Sequence, residues 1–204
     1  MRLTVIGSSP AWPNPGSAQS GYLLDGPGKL LLDCGPGVLA RLREAGHVVQ
    51  AVAITHWHLD HWGDLVPWAW LKLFGPDELQ VRSTLFLPPG GIDELTRFAS
   101  FWGNEQMFER AFTLSEFEPG RTFEAAGFEV EARRVPHYNL QAYGFRVREP
   151  GSGRVLAYSG DCAPTQELAA LAAADGPILL THRPIELPAP DGLPLAHDGL
   201  TVDV

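Results

Sequence analysis

Thr55-His56-Trp57-His58-Leu59-Asp60-His61 crowds three histidines and an aspartate into six positions, directly after the apolar run Ala51-Val52-Ala53-Ile54. Imidazole nitrogens and carboxylate oxygens are the donors that hold zinc and related divalent ions. A lone histidine beside an apolar strand is usually a hydrogen-bonded core or surface residue. Four donor-type side chains in six positions are different, because packing them together without a partner concentrates buried polarity at a real cost. If Ala51 to Thr55 is a buried strand and a helix begins at Trp62, the turn between aims His56 and His58 to one side. Asp60 and His61 then fall on the other. One cluster can so serve two metal centres, the arrangement that stabilises both the attacking and leaving oxygens of a displacement.

This His-x-His-x-Asp-His run resembles the signature of the metallo-beta-lactamase superfamily, and other stretches follow it in the expected order. Arg2 to Pro10, Gly21-Tyr22-Leu23-Leu24-Asp25 and Leu31-Leu32-Asp33-Cys34-Gly35-Pro36-Gly37 are similar to the opening hairpins of the ribonuclease Z-like branch. Pro136-His137 with Tyr143-Gly144-Phe145-Arg146 resembles that branch's third motif, and Ser159-Gly160-Asp161 its fourth. The resemblance covers nearly the whole chain. It implies that His56, His58 and His137 serve a first metal, that Asp60 and His61 serve a second, and that Asp161 bridges them. The family's last histidine, at the end of a late strand, is matched by His182 after Ile178-Leu179-Leu180-Thr181, a run expected to be a buried central strand beside that of Asp161. Here the chain departs from the pattern. The branch places a further strand, ending in a His-Glu-Ala-Thr-like motif, and a helix before that histidine; this chain has one helical stretch, Pro164 to Ala174, before His182. His182 is therefore either the last ligand or a remnant of the missing element. The last-ligand reading is favoured because Ala196-His197-Asp198-Gly199-Leu200-Thr201-Val202 resembles the closing strand of these folds.

Each later residue also has an ordinary reading. Asp161 in its Ser-Gly-Asp turn can cap the following helix, which leaves a carboxylate oxygen for metal. His47 and His197 fit structural or solvated roles. Cys34 and Cys162 are too few for a disulfide framework and fit small apolar packing.

Length and composition predict one domain over residues 1–204. No eighteen-residue apolar run exists, and the amino terminus reads straight into a strand, so a soluble, cytoplasmic protein without membrane contact is expected. Strands are predicted at 2–7, 20–25, 29–33, 50–55, 84–87, 121–125, 128–135, 141–148 and 154–159. Helices are predicted at 38–45, 62–73 and, in two pieces broken near Gly103, 92–110. The alternation indicates a layered α/β fold. By resemblance this is the four-layer αββα sandwich, shortened at its C-terminal end, with the metals at the edge between two sheets.

The expected cofactors are two divalent ions, zinc first, with manganese or iron as alternatives. Two cations bring the pKa of a shared water into the neutral range and polarise the acceptor oxygen. Asp60 is expected to bind metal and orient the nucleophile's proton, and His182 or His197 to protonate the leaving group. The substrate expected is a small phosphodiester. A net charge of −9, with Lys29 and Lys72 as the only lysines, gives no electrostatic footprint for long nucleic acid. The arginines Arg133, Arg134, Arg146 and Arg148 can form a local patch or a solvated strand face. Trp57, Trp62, Trp68 and Trp70 can stack a ring, but fit the core better. A lactonase or thioesterase of the same fold, and a metal-binding or sensing domain without turnover, are the competing readings. A homodimer is compatible with all three.

Overall fold

Leu30, Leu31 and Leu32 are each fully buried, which a strand achieves only when both its faces are covered. The computed structural model, describing residues 1–77, 81–163, 165–166, 171, 178–187 and 193–204, shows what covers them. Strand β3 (Lys29–Leu32) lies inside a seven-stranded sheet. The sheet also contains β1 (Arg2–Gly7), β2 (Gly21–Asp25), β4 (Ala51–Ala53), β5 (Thr84–Leu87), β6 (Thr113–Glu116) and β11 (Thr201–Asp203), in the order β11-β1-β2-β3-β4-β5-β6. From β3 to β6 the pairing is parallel; β11, β1, β2 and β3 pair antiparallel. A second, antiparallel sheet has the order β10-β9-β8-β7, from β7 (Thr122–Ala125), β8 (Phe128–Val135), β9 (Ala142–Arg148) and β10 (Val155–Tyr158).

Side-chain alternation along the strands divides the core in two. Leu23, Leu31, Val52 and Leu85 point to one face of the large sheet. There they pack with α1 (Val38–Glu44), α3 (Leu65–Phe74), α4 (Gly91–Ser100) and α5 (Met107–Ala111). Leu24, Leu30, Leu32 and Ala53 point to the other face and meet Phe128, Val130, Phe145 and Val147 of the small sheet. On the outer side of the small sheet, Leu171 is buried with Val135 and Ala142. The helical stretch expected at 164–174 lies mostly outside the described residues, within which Gln166 and Leu171 are helical.

Three expectations change. The helix expected over 62–73 is divided into α2 (Leu59–Trp62) and α3, because Gly63 and Asp64 form the joint and the Asp64 carboxylate accepts the Leu39 N–H at the start of α1. Strand β6 was not anticipated. Thr-Leu-Ser-Glu has little apolar pattern, and this sheet-edge strand is held by its backbone pairing with β5. The expected strand at 178–182 does not form. Ile178 is 67% exposed, Leu180 makes one isolated bridge to Leu195, and His182 has φ 60°, which an extended strand cannot contain. This segment therefore does not lie beside β10, whose strand partner among the described residues is β9. No helix of the described residues is long and apolar enough to cross a membrane.

Candidate metal centre

Buried strand β4 delivers its C-terminal residues to the mouth between the two sheets. Ile54 N–H continues the pairing to the Phe86 carbonyl at 2.9 Å, and the Thr55 carbonyl accepts from Tyr143 N–H of β9 at 3.1 Å. The chain then turns, and His58 precedes the single turn α2 that carries Asp60 and His61. The loop after β3 clamps this turn through Cys34 N–H to the His61 carbonyl, 2.6 Å. Gly35 is required there: a Cβ at that position would lie 2.0 Å from the Asp60 carbonyl oxygen.

Two groups of donors result. His56, His58, His137 and Asp161 form one; Asp60, His61, Asp161 and His182 form the other, and within each group the donor atoms lie within 4.8 Å of one another. Asp161 belongs to both. The turn expected to divide His56 and His58 from Asp60 and His61 does so. In the first group, His58 Nδ1 lies 3.1 Å from His56 Nε2 and 3.0 Å from His137 Nε2. In the second, His182 Nε2 lies 3.1 Å from Asp161 Oδ2 and 3.3 Å from Asp60 Oδ2. His61 Nε2 is 3.4 Å from Asp161 Oδ1. His197, the alternative proton donor, is exposed and touches the Asp198 carbonyl.

The residues fit a cation. Asp60 Oδ2 and His61 Nε2 are buried without a hydrogen-bond partner, and an orphaned buried donor or acceptor costs about 1–3 kcal/mol unless something satisfies it. Three of the histidines also have their far ring nitrogen tied to a protein oxygen: His56 Nδ1 to Thr55 Oγ1 at 2.9 Å, His61 Nδ1 to Asp33 Oδ2 at 2.7 Å, and His182 Nδ1 to Ser20 Oγ at 3.1 Å. With a proton held on Nδ1, each Nε2 would turn its lone pair to a bound ion, as a ligand must. Burial, reinforced by the charge of His61, lowers the His56 pKa to about 2, so His56 stays a neutral donor. Burial lowers the His137 pKa as well. For His61 burial works in the same direction, but the Asp33 and Asp161 carboxylates outweigh it and raise the pKa to about 10. For Asp161 burial would raise the pKa; hydrogen bonds and charge from His182 and His61 overcome it and hold the carboxyl well below its ordinary range. Without a cation, a proton on His61 balances the carboxylates, and a bound ion would replace it.

Asp33 organises the layer behind. Fully buried, it accepts from Thr55 N–H at 2.8 Å, Thr55 Oγ1, His61 Nδ1 and the Tyr158 hydroxyl at 2.8 Å. The sequence marked Asp33, within the Leu31-to-Gly37 motif, as a candidate active-site aspartate without assigning it a role; its position at the end of an apolar strand was the available signal. Asp33→Asn keeps the shape but turns an acceptor face into a donor opposite Thr55 or His61. We expect metal affinity to fall roughly 10–100-fold, the usual cost of losing such support, with the circular dichroism spectrum unchanged. A titration with a competing chelator measures it.

Among the described residues, four non-glycine positions have positive φ: Asp33 (60°), Ala126 (51°), Tyr138 (45°) and His182 (60°). Three of them, all but Ala126, border this centre. Such conformations cost about 1–3 kcal/mol each and persist where surrounding structure enforces them. Asp198, read only as part of a closing strand, is one such enforcer. It accepts from Ser8 N–H and Oγ, Ser17 Oγ and Ala18 N–H and pairs with Arg41. The Ser8 carbonyl it thereby fixes accepts the His182 N–H at 3.0 Å.

Residues 29–185 match the family described as the beta-lactamase superfamily domain. A Mycobacterium tuberculosis protein carrying no functional name is 31% identical over 176 residues, covering 84% of this chain and 64% of that protein. This chain thus spans about two thirds of the length of such relatives. A Mycobacterium marinum protein named ribonuclease Z is 27% identical over 199 residues, covering 89% of this chain and 70% of that one. Among solved structures, the metallo-beta-lactamase fold protein YhfI of Bacillus subtilis superimposes with a TM-score of 0.71 at 22% identity, covering 87% of this chain and 69% of that one. The short form of human tRNase Z gives 0.72 at 20% identity, covering 100% and 99%. By the matched family over most of its length and by its two-sheet architecture, this chain belongs to the beta-lactamase superfamily and has the metallo-beta-lactamase fold.

Proposed function

We propose that the chain is a hydrolase that uses two divalent ions, zinc first, to cleave a small phosphodiester. The observation that carries this reading is the sharing of Asp161 between two donor groups. His56, His58 and His137 would hold one ion, Asp60, His61 and His182 the other, and Asp161 both. Paired cations supply an activated water and stabilise charge on the attacking and leaving oxygens. The protein's own contribution is positional. Asp33 and Thr55 fix the imidazoles, Asp60 can hold a proton of the attacking water through its hydrogen-bond-free Oδ2, and His182 Nε2 faces the carboxylates from the half-buried side.

The choice of a diester is supported by relatives named ribonuclease Z at 27–36% identity. A small substrate, rather than a long nucleic acid, is supported by the net charge of −9 and the need for many cationic contacts along a phosphate backbone. Zinc-reconstituted protein is expected to hydrolyse bis(p-nitrophenyl) phosphate at least about a hundredfold faster than the chelator-stripped protein, a factor of the size electrostatic stabilisation supplies. Initial rates on that diester, a lactone and a thioester, run in parallel, decide the matter. Turnover on the lactone or thioester with none on the diester would replace the proposal with an ester hydrolase.

A further inference from the structure

Tyr138 carries an inference about what the substrate bears beside its phosphate, and this rests on the phosphodiester reading above. The turn is closed by Leu140 N–H to the His137 carbonyl at 3.1 Å. Tyr138 occupies its second position with φ 45°, a conformation that glycine, asparagine or aspartate adopts far more easily. The tyrosine there is not used for packing: it is 87% exposed. Its ring centroid lies 4.7 Å from that of His137 and 6.2 Å from that of His58, tilted 57° and 60° to them. A broad aromatic face is thus held at the rim of the first donor group and left uncovered. The tryptophans of the motif region differ. Trp62 and Trp68 are buried, Trp57 packs edge-on against Trp62, and Trp70 is stacked on Phe74 of the same helix.

We propose that Tyr138 is a stacking platform that selects phosphodiesters carrying a flat aromatic ring, specifically a nucleobase. A nucleoside phosphate has the right build, with a ribose between its base and the phosphorus to reach from the rim to the donor groups. A base offers a π-face whatever its identity, so the platform selects the class of substrate without reading sequence. Its contribution is to binding, leaving the chemistry at the donor groups unchanged, so it should appear in KM rather than kcat.

Equilibrium binding to the zinc-loaded protein tests this without requiring turnover. Isothermal calorimetry is expected to show adenosine 5′-monophosphate binding roughly tenfold more tightly than ribose 5-phosphate, a factor within the range of base–aromatic stacking. Tyr138→Ala should erase that preference while ribose 5-phosphate affinity and zinc content stay at wild-type values, and Tyr138→Phe should retain it. Equal affinities for the two ligands in the wild type, or a preference that survives Tyr138→Ala, would overturn the platform. Kinetics on adenosine 2′,3′-cyclic phosphate and on glycerol 1,2-cyclic phosphate separate the two readings. If both are cleaved with equal KM, the platform fails and the hydrolase stands. If neither is cleaved but the tyrosine-dependent preference is present, the platform stands and the hydrolase reading fails.

Discussion

Asp161→Ala is expected to lower bound metal from about two equivalents to fewer than one and to reduce diester turnover by roughly a hundred- to a thousandfold or more. No other side chain belongs to both donor groups among the described residues. Its Oδ2 lies 3.1 Å from His182 Nε2 and 3.7 Å from His137 Nε2, while its Oδ1 lies 3.4 Å from His61 Nε2. If two cations share it as proposed, removing the carboxylate would take one negative charge and one donor from each, so both ions should weaken together. Asp161→Asn separates charge from shape. It keeps one oxygen donor in place, and an intermediate metal content is expected. Elemental analysis of reconstituted, desalted protein gives the count. Two firmly held equivalents in Asp161→Ala would mean that Asp161 is a helix cap and that the ions, if bound, do not share it.

Local chemistry and sequence order made the first four donors legible. A strand that is apolar at every position can only be buried, and a histidine-rich turn at its end can only be at the rim of the sheet, so the division of His56 and His58 from Asp60 and His61 followed from the turn itself. The supporting layer was less visible because its partners are distant in sequence. Asp33 and Tyr158 are 125 residues apart, and Ser8 and Asp198 are 190 apart; no periodicity announces such pairs. The Gly35 requirement has the same character, since the Asp60 carbonyl that excludes a side chain comes from α2, 25 residues further along the chain. Strand β6 was missed because a polar edge strand has no apolar pattern to read. Tyr138 was passed over because an isolated tyrosine after a histidine carries no signal until its backbone conformation and exposure are known.

His182 was assigned the right neighbourhood by the wrong route, and its substitution follows from the correction. A ligand at the end of a buried central strand would be held by the sheet. Instead the segment from Ile178 to His182 is partly exposed and is fixed at a few points: the Leu180–Leu195 bridge, the Thr181 hydroxyl to the buried Tyr22 hydroxyl, the His182 N–H to the Ser8 carbonyl, and His182 Nδ1 to Ser20 Oγ at 3.1 Å. Removing the imidazole therefore disturbs little of the core, and His182→Ala should fold normally. It should lose the second ion selectively, because Nε2 faces Asp60 and Asp161, whereas the three imidazoles of the first group remain. The expected outcome is about one equivalent of retained metal and a fall in diester turnover of roughly a hundredfold, the scale of removing one stabilising group from a transition state. Ser20→Ala should give a smaller loss, within the roughly 10–100-fold range that supporting hydrogen bonds contribute, since it frees the ring to rotate without removing it. Metal counts and turnover measured together distinguish the alternatives. Two ions and full activity in His182→Ala would leave His182 outside the centre. Two ions in the wild type, with no turnover on any ester, would make the chain a metal-binding domain whose His182 serves only to hold the ion.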